Sequence, residues 1–240
     1  MKLIVGIPKV AVVMPSNRSV MCVETALSLV QLLFEGQKYL YDIRILPDLY
    51  IDKARNELVR QLLELQHHTT DLWSLWLDDD QIWPPYLIPA LLANEKPVVG
   101  GLYFSKTKPY DCTAFNFVKA RTDVVTYKGF ERELTINRLQ SWPDRGGSQV
   151  DGLGMGATLI RVDIFSKMRE FYGDEKWFRS KECGEDVWFF HRLRELGHSA
   201  WLDTSVECGH ITKEVVTKEC WEKYHSPIIA TRGEEKQLKI

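Results

Sequence analysis

The first half of the chain alternates short β-branched or aromatic runs with longer segments of helical apolar spacing, and this alternation restricts it to an α/β architecture. VAVVMP, closed by Pro-Ser-Asn, predicts a strand, and ETALSLVQLLFEG a helix stopped at Gly36. YDIRILP predicts a second strand, and IDKARNELVRQLLELQ a helix built from good formers throughout. DLWSLWLDDD reads as the third strand, PPYLIPALLAN as a helix with prolines in its first turn, and KPVVGGLYF as the fourth strand. Strands separated by helices pair in parallel, so the expectation is a largely parallel central sheet flanked by helices.

Past Ser105 the texture changes. CTAFNFV and DVVTYKGF predict hairpin strands, and INRLQSWPDRGGSQ a flexible loop rich in turn formers. VDGLGMGATLIRVDIFSKM returns to strand and then helix, GEDVWFFHRLRELGH is an amphipathic helix, and SAWLDTSVECGHI predicts a short strand or two. No repeat, low-complexity tract or linker divides the 240 residues, 45% of them hydrophobic, so one domain is expected over 1–240. Its 1–104 half would be parallel and its 105–240 half mixed.

A net charge of -2 gives no basic footprint for nucleic acid, which would need a local patch. Five cysteines without a CxxC pair read as reduced thiols in a cytoplasmic protein. The N-terminal apolar residues are interrupted by Pro8 and Lys9, which predicts a strand rather than a signal peptide, and no stretch is long enough to span a bilayer.

The chemistry concentrates where the third strand ends. Asp78, Asp79 and Asp80 follow an apolar run directly, and open α/β sheets bind ligands outside the carboxyl ends of their strands. Three adjacent carboxylates repel one another unless a cation neutralises them, and hard oxygen ligands suit Mg2+ or Mn2+. Side chains alternate along an extended segment, so Asp78 and Asp80 would share a face and Asp79 would point elsewhere. A turn or helix cap is the plainer role for aspartates at this point.

Several segments, in order, resemble the GT-A glycosyltransferases, which use nucleotide-activated sugars. LWLDDDQ resembles their Asp-x-Asp motif, VVMPSN the first strand and nucleotide-contacting turn, and DKARNEL the Ala-Arg-Asn helix start. VDGLGMGATLIRVDIF resembles the strand flanking the acceptor site, GEDVWFFHRLRELGH the Glu-Asp helix, and WLDTSVECGHI the closing strand with its metal-binding histidine. The resemblance spans about residues 10 to 212, and the chain is similar in size to compact enzymes of this kind encoded by bacteria and phages, the latter acting in the host cytoplasm.

The resemblance implies a GT-A, Rossmann-like fold and a metal-dependent hexosyl transfer, inverting in the Glu-Asp type, from a uridine or guanosine diphosphate sugar to an acceptor hydroxyl. It assigns Asp80 and His210 to Mn2+ or Mg2+, with Asp78 on the metal or the ribose. Pro15, Ser16, Asn17, Asp48, Arg55 and Asp79 become nucleotide-sugar contacts. Asp186 becomes the base that deprotonates the acceptor, and Glu185 orients acceptor or base. For Arg55 an exposed pairing with Glu57 or Asp52 is the alternative, and for Glu185 and Asp186 a simple complement to the helix dipole. On the acceptor side, Gly152 and Gly154 would leave room for a sugar, and Trp142 would close over it from the loop 137–149. Trp83, Trp177 and Trp188 are further stacking candidates, although core packing suits most tryptophans.

Competing chemistries fit the residues less well. GLGMGA matches a loose dinucleotide fingerprint, but ATLIRV after it reads as strand where helix is required. A haloacid-type phosphatase carries its nucleophile after the first strand, and a nucleotidyltransferase would show a glycine-rich basic loop where PSNRSV stands. A non-catalytic nucleotide- or sugar-binding domain would not need Asp80, Asp186 and His210 together. The acceptor implied by the resemblance would be a glycan, a protein or a hydroxymethylated base in DNA; Lys106, Lys108, Lys119, Arg121 and Lys128 would form the local patch for the last.

Overall fold

A computed structural model describes residues 6–16, 21–118, 125–127, 134–143, 146–181, 183–212 and 215–225. Its centre is a seven-stranded sheet in the order β2-β1-β3-β10-β5-β11-β9. The strands are β1 (Lys9–Pro15), β2 (Leu40–Leu46), β3 (Leu72–Leu77), β5 (Val98–Leu102), β9 (Gly147–Val150), β10 (Ala157–Arg161) and β11 (Ala200–Glu207). β1 pairs in parallel with β2 and β3, and β5 with β11. β10 runs antiparallel to both β3 and β5, and β9 antiparallel to β11. The sheet is therefore mostly parallel, as the alternation predicts, with two reversed strands, β10 inserted between β3 and β5 and β9 at the edge.

Alternation along the central strands sends side chains into two cores. Val10, Val12 and Met14 of β1 meet Leu29 and Leu32 of α1 (Val23–Glu35) and Leu87, Ile88 and Leu91 of α3 (Leu87–Ala93). Ala11 and Val13 face the other side, with Leu58 and Leu62 of α2 (Ile51–Gln66), Phe165 of α4 (Asp163–Tyr172) and Phe189 of α5 (Glu185–Glu195). Strands covered on both faces read as continuous apolar runs, which is why β3 is LWSLWL with all six residues buried. The α2 limits coincide with the predicted segment, and α4 ends on Gly173 at φ 65°, a left-handed stop that glycine adopts without steric cost.

Two small sheets flank the large one. β12 (Gly209–Ile211) pairs with β13 (Val215–Val216) and with β4 (Gln81–Ile82), the strand that follows the three aspartates. In the other, β6 (Phe115–Val118) and β7 (Val125–Tyr127) both pair with β8 (Leu134–Arg138). The expected hairpin between the first two is thus corrected: β8 lies between them. The expected loop 137–149 is also corrected at both ends, because Leu134–Arg138 and Gly147–Val150 are strands. Backbone pairing with β6 and β11 orders residues whose composition alone reads as turn.

Trp76 is fully buried, packs against Phe165 and Phe178 at 5.9 and 5.3 Å, and donates its indole N–H to Ser74 Oγ at 2.9 Å. Trp76→Ala is expected to cost about 3–5 kcal/mol, measured by urea unfolding, because the cavity cannot collapse between two aromatic neighbours.

Candidate active site

The carboxyl ends of β1, β3 and β5 and the entry to the reversed β10 share one edge of the sheet. A cavity of about 380 Å³ opens there, lined by Pro15, Ile51, Arg55, Asp78, Asp79, Asp80, Tyr103, Ser105, Lys106, Thr113, Arg138, Gly154, Glu185, Asp186 and His210. This is the volume of a small-ligand site at the position where open α/β sheets place one.

The three aspartates divide their work. β3 ends at Leu77, so Asp79 and Asp80 stand in a turn and strict strand alternation no longer orients them. Asp78 Oδ1 accepts from Arg55 Nη2 at 2.9 Å, Asp79 Oδ2 accepts from Ser16 Oγ at 2.5 Å, and Asp80 pairs with Lys106 and faces His210. Asp79, expected off the shared face, therefore also reaches the cavity. Burial pushes the Asp78 carboxyl up and Asp80 adds to this, with Arg55 working against both. Burial also works against charge on Asp80, but hydrogen bonds from His210 and Lys106 outweigh it and hold its carboxyl down at about 2.

His210 reaches Asp80 through sheet pairing. β12 lies against β4 with His210 opposite Gln81, and the Ile211 N–H donates to the Asp80 carbonyl at 2.8 Å. His210 Nδ1 lies 2.7 Å from the Phe104 carbonyl, which can only accept, so Nδ1 carries a proton and the ring is held with Nε2 toward Asp80. That atom lies 3.2 Å from Asp80 Oδ1. Neighbouring ligands of an octahedral ion, each ~2.1 Å from it, stand about 3 Å apart, so the two atoms fit a divalent cation. Asp78 gives its Oδ1 to Arg55. Among the described residues no cluster of three or more His, Cys, Asp or Glu side chains suited to a metal forms. A two-ligand protein site suits Mg2+ or Mn2+, which keeps its other positions for phosphate oxygens and water.

Across the cavity Glu185 and Asp186 open α5. Arg55, buried on the first turns of α2, pairs with Glu185 as well as Asp78 and lies over the Phe178 ring at 5.7 Å. The alternative partners Glu57 and Asp52 are replaced: Glu57 binds Arg60, and Asp52 accepts from the Ser180 N–H. Two carboxylates hold the Arg55 guanidinium, which lines the cavity and ties the end of β3 to the start of α5. Asp186 accepts the Val187 N–H at 2.7 Å. Burial first, then the Glu185 charge, raises its carboxyl to about 6, against the pull of Arg138 and Arg55. A carboxylate tuned to that range can take a proton near neutrality.

The remaining assignments diverge. Pro15 ends β1 at the cavity and Ser16 follows it, bonded to Asp79, whereas Asn17 lies outside the described residues. Asp48 is exposed in the loop after β2 at φ 61° and does not line the cavity. Gly152 leaves no room for a sugar, since a Cβ there would lie 2.2 Å from the Phe115 ring. Gly154 does line the cavity, but its openness serves Tyr103, whose hydroxyl would lie 2.0 Å from a Cβ. That buried hydroxyl accepts the Gly156 N–H at 3.0 Å. Trp142 packs against Phe104 and Trp221 at 5.7 and 4.7 Å, away from the cavity lining. Trp83 and Trp177 are core residues, donating to the Gly156 and Phe165 carbonyls, and Trp188 donates to that of Lys176.

Tyr103, Thr113 and Arg138 were not legible as site residues. Arg138 Nη1 donates to the Thr113 carbonyl at 2.7 Å beside Asp186, and only the pairing of β8 with β6 brings it there. Of the residues assigned to a DNA-binding patch, Lys106 turns inward to Asp80 and Lys108 lies over the Tyr224 ring at 5.2 Å; Lys119, Arg121 and Lys128 lie outside the described residues.

The sheet order and the site at its carboxyl edge define a GT-A-like α/β fold. Among solved structures, A197 from STIV aligns with a TM-score of 0.58 and 18% identity, covering 88% of this chain and 91% of that one. GalNAc-T7, solved with UDP, GalNAc and Mn2+, aligns more loosely, with a TM-score of 0.48 and 8% identity over 85% of this chain and 43% of that one. No family model and no curated protein matches the sequence.

Arg55→Met leaves Asp78 and Glu185 facing each other without their cation. It is expected to cost about 3–5 kcal/mol in urea unfolding. Removing the guanidinium also takes away one of the charges that restrain the Asp186 carboxyl, so NMR titration of that carboxyl is expected to show a higher midpoint than in the wild type.

Proposed function

We propose that this protein is a divalent-metal-dependent glycosyltransferase that moves a sugar from a uridine or guanosine diphosphate sugar to an acceptor hydroxyl with inversion. One observation carries the proposal: a single cavity holds, on one side, the Asp80–His210 pair suited to a divalent ion and, on the other, an Asp186 carboxyl raised to about 6. The first suits a diphosphate leaving group, the second an acceptor proton. The GT-A-like fold supports the class of reaction and leaves the choice of substrate open.

In the step we infer, Asp186 accepts the proton of the acceptor hydroxyl as its oxygen bonds to the anomeric carbon. The bond from that carbon to the diphosphate oxygen breaks, and its electron pair leaves with the diphosphate. A bound Mn2+ or Mg2+ would supply Lewis-acid stabilisation of the charge developing on the diphosphate. Asp80 and His210 would hold it, and the Phe104 carbonyl keeps the His210 ring turned toward it. Pro15 and Ile51 line the cavity where the nucleoside would enter, and Arg55 and Ser16 donate to Asp78 and Asp79. Glu185 orients Arg55 and raises the Asp186 carboxyl, a positioning role.

Thermal melting with a panel of nucleoside diphosphates and their sugars, with Mn2+, Mg2+ or chelator, tests the donor site. One nucleotide is expected to raise Tm by about 5–10 °C at a hundredfold excess over Kd, only with metal, and not in Asp80→Ala. Absence of a response to every nucleotide in folded protein overturns the proposal. Asp186→Asn should bind that nucleotide unchanged and lose about 10²–10⁴ in kcat. In the wild type kcat/KM should rise with pH through about 6, because the base works only when deprotonated.

A further inference from the structure

We propose, resting on the donor-site reading above, that Lys106 is a mobile phosphate-binding cation: it holds Asp80 before the donor arrives and transfers to the donor's phosphate oxygens when a divalent ion takes Asp80. Lys106 belongs to the cavity, on the segment that leaves β5, and its ammonium pairs with Asp80 Oδ2. The other oxygen of that carboxylate faces His210 Nε2. A divalent ion that binds Asp80 and His210 therefore enters the position of an existing ion pair and has to displace the lysine.

The surroundings fix the root of this side chain and leave its end able to move. Phe104 bridges to Cys112, the Ser105 N–H donates to the Asp111 carbonyl at 2.8 Å, and the Tyr110 N–H donates to the Thr107 carbonyl at 2.8 Å. The backbone on both sides of Lys106 is thus tied down. The side chain itself is one-third exposed, and a four-carbon stem allows the ammonium to swing within the cavity.

The two guanidinium groups of the lining each have protein partners. Arg55 is held by Asp78 and Glu185, and Arg138 donates to the Thr113 carbonyl beside Asp186. Once a divalent ion occupies Asp80, repulsion drives the ammonium away from it. A diphosphate bound to the same ion offers oxygens within the same cavity, and an ammonium with three donors suits them as a point charge. Lys106 would thereby make metal binding weak without a nucleotide and strong with one, a coupling between two ligands of a single site.

The test compares wild type, Lys106→Met and Lys106→Arg, each checked for an unchanged fold by circular dichroism. Binding of Mn2+ alone is followed by the loss of the free-ion electron paramagnetic resonance signal, and binding of UDP and GDP at saturating Mn2+ by calorimetry. Lys106→Met is expected to bind Mn2+ alone about two- to fivefold more tightly, since no ion pair has to be broken. The same variant should bind the preferred nucleotide at least about tenfold more weakly, the equivalent of one charged hydrogen bond. Lys106→Arg, which keeps the charge, should restore nucleotide affinity to within about threefold of wild type.

Both shifts in Lys106→Met are required, so Mn2+ or nucleotide affinity equal to wild type overturns the proposal while leaving the donor site intact. If wild type binds neither nucleotide with Mn2+, the donor-site reading itself fails and the role of Lys106 falls with it.

Discussion

The buried guanidinium of Arg55 holds the two sides of the cavity in one arrangement. Asp78 at the end of β3 and Glu185 at the start of α5 both bring negative charge to the same place, and without a cation between them the strand and the helix would repel. A guanidinium suits this position because its planar fork serves two carboxylates at once and cannot lose its proton. It sits on α2, whose apolar face is buried against β1, so the cation's position is set by core packing. The reciprocal hydrogen bonds between Asn56 and the Phe178 backbone brace the same helix against the segment that leads to α5.

Asp186 and Asp80 diverge because their neighbours do. Asp80 receives His210 and Lys106, and its carboxyl is held at about 2. Asp186 is buried beside Glu185, receives one backbone N–H, and rises to about 6. Two carboxylates with opposite displacements in one cavity can serve opposite ends of a reaction, one remaining charged to hold a cation and the other exchanging a proton. The glycines between β9 and β10 serve this arrangement indirectly: a Cβ at Gly156 would lie 2.1 Å from Gln81 Nε2 and 2.8 Å from Asp78 Oδ2.

The parallel half was legible because each of its elements is locally consistent. IDKARNELVRQLLELQ combines strong helix formers with one apolar stripe and gives α2 its observed limits, and LWSLWL could only be a strand covered on both faces. The later half was less legible. ATLIR reads correctly as a strand, but nothing in its residues says that it runs antiparallel between β3 and β5. GSQV reads as turn and becomes an edge strand because β11 supplies its hydrogen bonds. Trp142, with the composition of a lid residue, instead finds an aromatic neighbour in Trp221, far along the chain.

Local patterns were enough to determine an α/β chain with its aspartates at the end of a buried strand, because apolar periodicity and turn chemistry act over a few residues. Residue type, order and resemblance also singled out Asp78, Asp80, Asp186 and His210 as candidates, and all four line one cavity. Tertiary structure decided their company. It set Arg55 between two carboxylates, turned Lys106 inward to Asp80, brought Arg138 beside Asp186, and left Asp48 and Trp142 outside the cavity. Those outcomes depend on contacts between residues tens of positions apart, and the electrostatics follow from burial, which no single segment specifies.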